Sequence, residues 1–262
     1  MIADDEHVRT VIADGVATVE LNRAAKKNAI SLAMWQKLTR LFRGFANDDS
    51  LRVAILTGNG DAFSAGADIS EFGAVRSTPK QVEIYEAAVD EACRAVAALP
   101  KATISAVSGA CFGGAVALAA STDFRIADKT TQFSVSAVRM GLAYNLDKCA
   151  RLYQIVGLQG AKRILLTGQR LGPQEAVNMG LVDEIAPDIA IDHARILARE
   201  LTQVAPLALG TMKQILETLA AGSVQADRAV LEKLILQADM SEDHREAVRA
   251  FSEKRKPKFV GR

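Results

Sequence analysis

Phe63-Ser64-Ala65-Gly66-Ala67-Asp68-Ile69 and Val107-Ser108-Gly109-Ala110-Cys111-Phe112-Gly113-Gly114-Ala115-Val116-Ala117 are the two stretches on which the reading of this 262-residue chain turns. In each, an apolar run gives way to small residues, where the backbone must bend and a neighbour must come close. Val53 to Leu56 reads as a short buried strand entering Thr57-Gly58-Asn59-Gly60 ahead of the first stretch, and Thr103 to Val107 as a strand leading into the second. A helix starting near Gly113 would aim unpaired N–H groups and the positive end of its dipole at that bend. Two readings fit the spacing: glycines that serve only tight helix–sheet packing, and converging N–H groups that form an oxyanion hole.

Outward from these stretches, strand and helix signals alternate. Val8 to Ile12 and Val16 to Leu21 flank the turn dipeptide Asp14-Gly15, which predicts a hairpin. Ser31 can cap a helix running to about Ala46, with Leu38, Leu41, Phe42 and Phe45 on one face. A second helix follows Pro79 and is stopped by Pro100, and Phe124 to Ala127 and Gln132 to Val135 read as further short strands. The alternation predicts an α/β fold. Beyond about Leu146 the strand signals mostly vanish, and helices are expected near 147–156, 159–166, 173–179, 189–203, 206–221, 224–238 and 241–255. The chain is therefore divided into an α/β core, residues 1–200, and a C-terminal helical region, residues 201–262, packed on that core or on a neighbouring subunit.

Composition narrows the function. Lys and Arg number 32 against 31 Asp and Glu, a net charge of +1, which provides no field to attract nucleic acid. The longest apolar run, Ala110 to Ala120, is too short for the roughly 30 Å of bilayer hydrocarbon, so no membrane is expected. Asp4, Asp5 and Glu6 are the opposite of a basic signal-peptide start. Cys93, Cys111 and Cys149 have no CxxC spacing and suit a reducing, cytoplasmic setting without disulfides or a thiolate zinc site. His7, His193 and His244 lie in charged surroundings with no evident partner to tune them, and no G-x-S-x-G turn or HExxH accompanies them. Neither GxGxxG nor GxxxxGK[ST] occurs, so kinase, NAD-dependent and metalloprotease readings fall away.

Leu21-Asn22-Arg23, Lys27-Asn28-Ala29, the Phe63–Ile69 stretch, Ala106–Ala127 and the ending Phe251-Ser252-Glu253-Lys254-Arg255-Lys256-Pro257 together resemble the enoyl-CoA hydratase/isomerase (crotonase) superfamily, in the family's order. The resemblance implies a core of ββα units in two roughly perpendicular sheets, and a C-terminal helical region that drives homotrimers or dimers of trimers. It implies acyl-CoA thioesters as ligands, with coenzyme A entering as part of the substrate and no permanently bound cofactor or metal. It assigns the oxyanion hole to the backbone N–H groups of Ala67 and Gly114. It further implies that Ala65, Gly66, Asp68 and Ile69, with Lys26 or Lys27 nearby and Gly113 at the turn, contact the ligand, and that Phe251 and Lys254 reach coenzyme A at a subunit boundary.

The sequence departs from the hydratase pattern where the acid–base chemistry belongs. The two hydratase glutamates correspond to Ala117 and Ala137, and a methyl group cannot carry a proton. Gly141-Leu142-Ala143-Tyr144-Asn145-Leu146-Asp147 is similar to the corresponding segment of methylmalonyl-CoA decarboxylase, which makes Tyr144 a candidate catalytic or pocket residue. Asp147 is either a relocated acid or the N-cap of the helix that follows. Three functions stand beside one another: an enzyme that stabilises a thioester enolate without the glutamate pair, a malonyl- or methylmalonyl-CoA-type decarboxylase, and a non-catalytic acyl-CoA-binding protein.

Overall fold

The computed structural model describes residues 6–222 and 224–262; Asp4 and Asp5 of the acidic start lie outside them. The strands are β1 (Val8–Ala13), β2 (Val16–Leu21), β3 (Val53–Gly58), β4 (Ala62–Ser64), β5 (Ala102–Val107), β6 (Ala110–Phe112), β7 (Phe124–Ala127), β8 (Gln132–Ser134) and β9 (Glu184–Ile185). The helices are α1 (Leu32–Ala46), α2 (Phe72–Val75), α3 (Pro79–Ala97), α4 (Gly114–Ala120), α5 (Leu146–Thr167), α6 (Pro173–Asn178), α7 (Ala190–Leu201), α8 (Pro206–Ala221), α9 (Val224–Asp239) and α10 (Glu242–Ser252). Among the described residues no helix is long and apolar enough to cross a membrane.

The chain winds as a spiral of paired strands. β1, β2, β3, β5, β7 and β9 lie side by side in one sheet, antiparallel only between β1 and β2, while β4, β6 and β8 form a second, smaller parallel sheet. Each of the pairs β3–β4, β5–β6 and β7–β8 sends its first strand into the large sheet and its second into the small one. This is the expected α/β architecture of ββα units in two sheets.

Burial explains why the central strands read as unbroken apolar runs. Ala54 and Leu56 of β3 face the main core with Trp35, Leu38 and Phe42 of α1 and Val89 and Val96 of α3. Val53 and Ile55 face the opposite side, against Ala190, Ala194 and Ala198 of α7, whose small side chains at intervals of one turn admit close packing. Ser31 caps α1 by accepting from the Met34 N–H at 3.3 Å, and Thr78 begins α3 with a reciprocal capping box to Gln81.

Several boundaries differ from the sequence expectation. The helices expected at 147–156 and 159–166 form one run, Leu146–Thr167, broken by Gly157 at φ +67°. Asn145, not Asp147, is its N-cap, with the Asn145 side chain accepting from the Lys148 N–H at 3.2 Å. The short strands β4, β6 and β9 went unread because two or three residues are too few to display a period. The C-terminal helices are tied to the core by ion pairs, Lys213–Asp123 at 2.8 Å and Arg151–Glu217 at 2.8 Å.

Candidate active site

The loop after β4 is set by a buried asparagine. The Asn28 side chain donates to the Asn59 and Ala62 carbonyls at 2.8 and 2.7 Å and accepts from the Arg23 N–H at 2.8 Å. The Asn28 carbonyl accepts from the Ser64 hydroxyl at 2.7 Å, which in turn accepts from the Gly66 N–H at 3.0 Å. Alongside, Ala65 N–H donates to Lys27 O at 2.8 Å and Asp68 N–H to Ile30 O at 2.9 Å. The N–H groups of residues 65, 66 and 68 are thus all consumed, while that of Ala67 has no acceptor among the described residues.

The second stretch leaves a matching donor. Gly113 N–H is held by Ser134 O at 2.8 Å and the Gly113 carbonyl accepts from Val116 N–H at 2.9 Å, whereas Gly114, the first residue of α4, has an N–H without an acceptor among the described residues. The two stretches touch at Gly66. Its φ is +93°, and a methyl group built on it would lie 2.4 Å from the Phe112 carbonyl oxygen and 3.4 Å from the Gly114 nitrogen. Only glycine allows this approach. The arrangement leaves two unspent backbone donors on segments that meet at Gly66.

These donors line a cavity of about 180 Å³. Its walls are largely apolar, with Trp35, Phe72, Val89, Phe112, Met140, Leu142 and Ala143, and its polar residues are Arg76, Tyr85, Glu86, Ser136, Tyr144 and Lys148. The Tyr144 hydroxyl donates to the Gly113 carbonyl at 2.5 Å, and burial raises its pKa well above the usual phenol value, so it stays protonated. The Trp35 indole N–H donates to the Tyr85 hydroxyl at 3.3 Å.

A compact ion cluster closes one side. Lys148, 6% exposed, lies 2.7 Å from Glu86 Oε2 and 2.9 Å from Asp90 Oδ1, and Arg76 lies 3.0 Å from Glu86 Oε1. Burial opposes the charge on Glu86, but Lys148 and Arg76 outweigh it and hold the carboxyl below its usual range. Burial likewise works against Lys148, yet its two carboxylate partners keep its pKa above the ordinary lysine value. Glu86 is the only carboxylate among the described lining residues, and it is ionised and clamped between two cations.

Of the residues singled out in the sequence, Ala65, Ala67, Ile69, Gly113, Gly114, Ala137 and Tyr144 line this cavity. Asp68 is buried beneath it, 2.9 Å from Arg23 and 3.3 Å from Lys26. Burial raises the Asp68 pKa, but hydrogen bonds from Ser70, Arg23 and Lys26 prevail and bring it to about 2, which suits a structural anion and not a base. Lys26 also donates to Ser70 Oγ at 3.0 Å, and Lys27 is exposed at φ +47°. Ala117 is buried and lines a neighbouring cavity with Asp90 and Lys148.

Other candidates fall outside the cavity. Asp147 is more than half exposed, faces Arg94 at 3.7 Å and does not line this cavity; it lines the neighbouring one with Ala117. Phe251, 88% exposed, and Lys254 are absent from the lining within one chain. His193 does have a partner, Glu184 at 2.7 Å, because β9 brings that carboxylate beside α7; neither residue lines the cavity. No group of three or more metal-ligating side chains occurs among the described residues. Sequence reasoning missed Arg76, Glu86 and Lys148. The acidic pair Glu86 and Asp90, one turn apart beside the buried Tyr85 and Val89, was the available signal.

Comparison with known proteins finds relatives along nearly the whole chain. The sequence model of the family described as "Enoyl-CoA hydratase/isomerase" matches residues 11–262. The 2,3-dehydroadipyl-CoA hydratase of Escherichia coli (strain K12) is 30% identical over 252 residues, covering 94% of this chain and 96% of that protein. An enoyl-CoA isomerase/hydratase of Mycosarcoma maydis is 33% identical, covering 95% of this chain and 93% of that protein. The crystal structure of an enoyl-CoA hydratase/isomerase family protein from Hyphomonas neptunium superposes with a TM-score of 0.93 at 31% identity, covering 98% of each chain.

Proposed function

The chain belongs to the enoyl-CoA hydratase/isomerase family, and from that premise we propose that it is an enzyme that binds an acyl-CoA thioester and stabilises the thioester enolate between the N–H groups of Ala67 and Gly114. The observation that carries this reading is the pair of unspent donors beside Gly66, opening on an apolar cavity. Charge that develops on the thioester oxygen would be met by dipoles already in place, where one such donor contributes about 2.7–4 kcal/mol to the transition state.

The reaction proposed is one that does without the hydratase glutamate pair. Ala137 sits on the wall and Ala117 behind it, and Glu86, clamped by Lys148 and Arg76, is poorly suited to pass a proton. Decarboxylation of a malonyl- or methylmalonyl-type thioester is the second reading, favoured by the same wall: loss of CO2 generates the enolate directly and needs no base. The ligand is bound as substrate; coenzyme A is not a resident cofactor. Residues 201–262 are proposed to meet other copies of the chain in a homotrimer or dimer of trimers, where Phe251 and Lys254 would reach coenzyme A. Exposed Met212, Leu216, Leu236 and Met240 on α8 and around α9 support that role. A cytoplasmic setting accords with three cysteines that remain free thiols.

Turnover of crotonyl-CoA, followed at the enone absorbance, and CO2 release from methylmalonyl-CoA test the reading together. Slow or absent hydration is expected, with CO2 release as the mark of the second reading. Hydration at the rate of an ordinary enzyme, kcat of about 10 s⁻¹ or more, would overturn the assignment.

A further inference from the structure

Gly113 and Gly114 share one peptide group, and its two ends face different partners. On the carbonyl side, the Tyr144 hydroxyl donates at 2.5 Å and Val116 N–H donates at 2.9 Å. On the nitrogen side, the Gly114 N–H has no protein acceptor among the described residues and opens on the cavity. Gly113, at φ +49° and ψ −126°, has no side chain to brace this peptide, so its carbonyl end is held by those two hydrogen bonds.

Tyr144 itself is held on both flanks. Asn145, next in the chain, caps α5 through its oxygen and donates its amide to Asp90 at 2.6 Å, while the Cys149 thiol reaches the Tyr144 carbonyl at 3.7 Å. The ring lines the cavity and the hydroxyl is spent on Gly113. Its hydroxyl proton is therefore engaged away from the substrate, and the residue can influence the reaction through the peptide it touches.

We propose that Tyr144 is a positioning residue whose phenol fixes the Gly113–Gly114 peptide plane and polarises it, so that the Gly114 N–H becomes a better aimed and stronger donor to the thioester oxygen. The inference rests on the reading of Gly114 as one of the two hole donors. A hydrogen bond accepted by an amide carbonyl draws electron density from the nitrogen and strengthens the N–H on the far side, by roughly 10–30% per bond in condensed phase. Burial keeps the phenol protonated, so the effect persists across the working pH range.

The test uses the full-length protein with hexanoyl-CoA labelled with carbon-13 at the thioester carbonyl, and isotope-edited infrared difference spectroscopy. The parent chain is expected to move the bound carbonyl stretch to lower frequency. Tyr144→Phe, which keeps the ring, is expected to lose roughly 10–30% of that shift, with a dissociation constant close to the parent's. Site-specific 3-fluorotyrosine at position 144, a stronger donor of nearly the same size, is expected to enlarge the shift; a merely structural role would not follow donor strength. An unchanged shift in both variants overturns the inference while leaving the hole intact. If Tyr144→Phe fails to fold, the fluorotyrosine variant alone decides. Absence of any shift in the parent chain refutes the hole reading itself, and this inference with it.

Discussion

Gly66→Ala presses directly on the geometry of the proposed hole. The added methyl would lie 2.4 Å from the Phe112 carbonyl oxygen, and ordinary contact begins at 3.4 Å, so one segment must retreat by the difference, 1.0 Å. Both segments lead to a proposed hole donor, Ala67 on one and Gly114 on the other. A misplacement of about 1 Å costs about 100-fold in rate, equivalent to about 2.7 kcal/mol. The φ of +93° adds backbone strain of about 1–3 kcal/mol for a residue with a Cβ. Gly113→Ala is the built-in comparison: φ is +49°, but its methyl would meet nothing within 4 Å, so it tests backbone strain without collision. The assay is turnover on the thioester the parent chain processes fastest, with the melting midpoint measured on the same samples. Gly66→Ala is expected to lose about 100-fold in kcat, and Gly113→Ala less. Parent-like turnover and melting in Gly66→Ala would refute the claim that this contact sets the hole.

Other outcomes follow from the ion pairs and from the missing glutamates. Asp68→Asn removes the anion shared by Arg23 and Lys26. Because the folded pKa is lowered from 3.8 to about 2, Asp68 contributes stability that is fully present above the unfolded value and lost as pH falls through the folded one. Urea unfolding should therefore find the variant roughly 2 kcal/mol less stable at neutral pH, with the gap closing as pH falls from about 4 toward 2. Lys148→Met leaves Asp90 without its cation and Glu86 with Arg76 alone, and is expected to cost about 3–5 kcal/mol in the same assay; adding Glu86→Gln and Asp90→Asn should restore part of it. Ala117→Glu with Ala137→Glu is expected to raise crotonyl-CoA hydration by about 100-fold or more, the lower range for a positioned acid–base group. No gain would count against assigning those two positions to the missing carboxylates.

The sequence carried the fold where its signals were local. Asp14-Gly15 specifies the β1–β2 hairpin, Ser31 starts α1, and Gly157 interrupts α5 as its lack of a side chain allows. The glycine stretches marked the two segments that meet at Gly66, because a close approach between backbones leaves its mark as missing side chains. The ion cluster was not legible. Lys148 and Glu86 are far apart in the chain, and only the packing of α5 on α3 brings them together. Asp147 was misread for a related reason: Asn145 supplies an equally good cap two residues earlier, with a second partner in Asp90 that no local pattern announces. β4 and β6 of the small sheet gain their partners from distant segments, so neither propensity nor period marks them.

A crystal structure of the protein with a non-hydrolysable acyl-CoA bound tests the central claim most directly. The account predicts the thioester oxygen at about 2.7–3.1 Å from both the Ala67 and Gly114 nitrogens, with no carboxylate poised over the α- and β-carbons. An oxygen directed away from those nitrogens, or a carboxylate poised over those carbons, would contradict it.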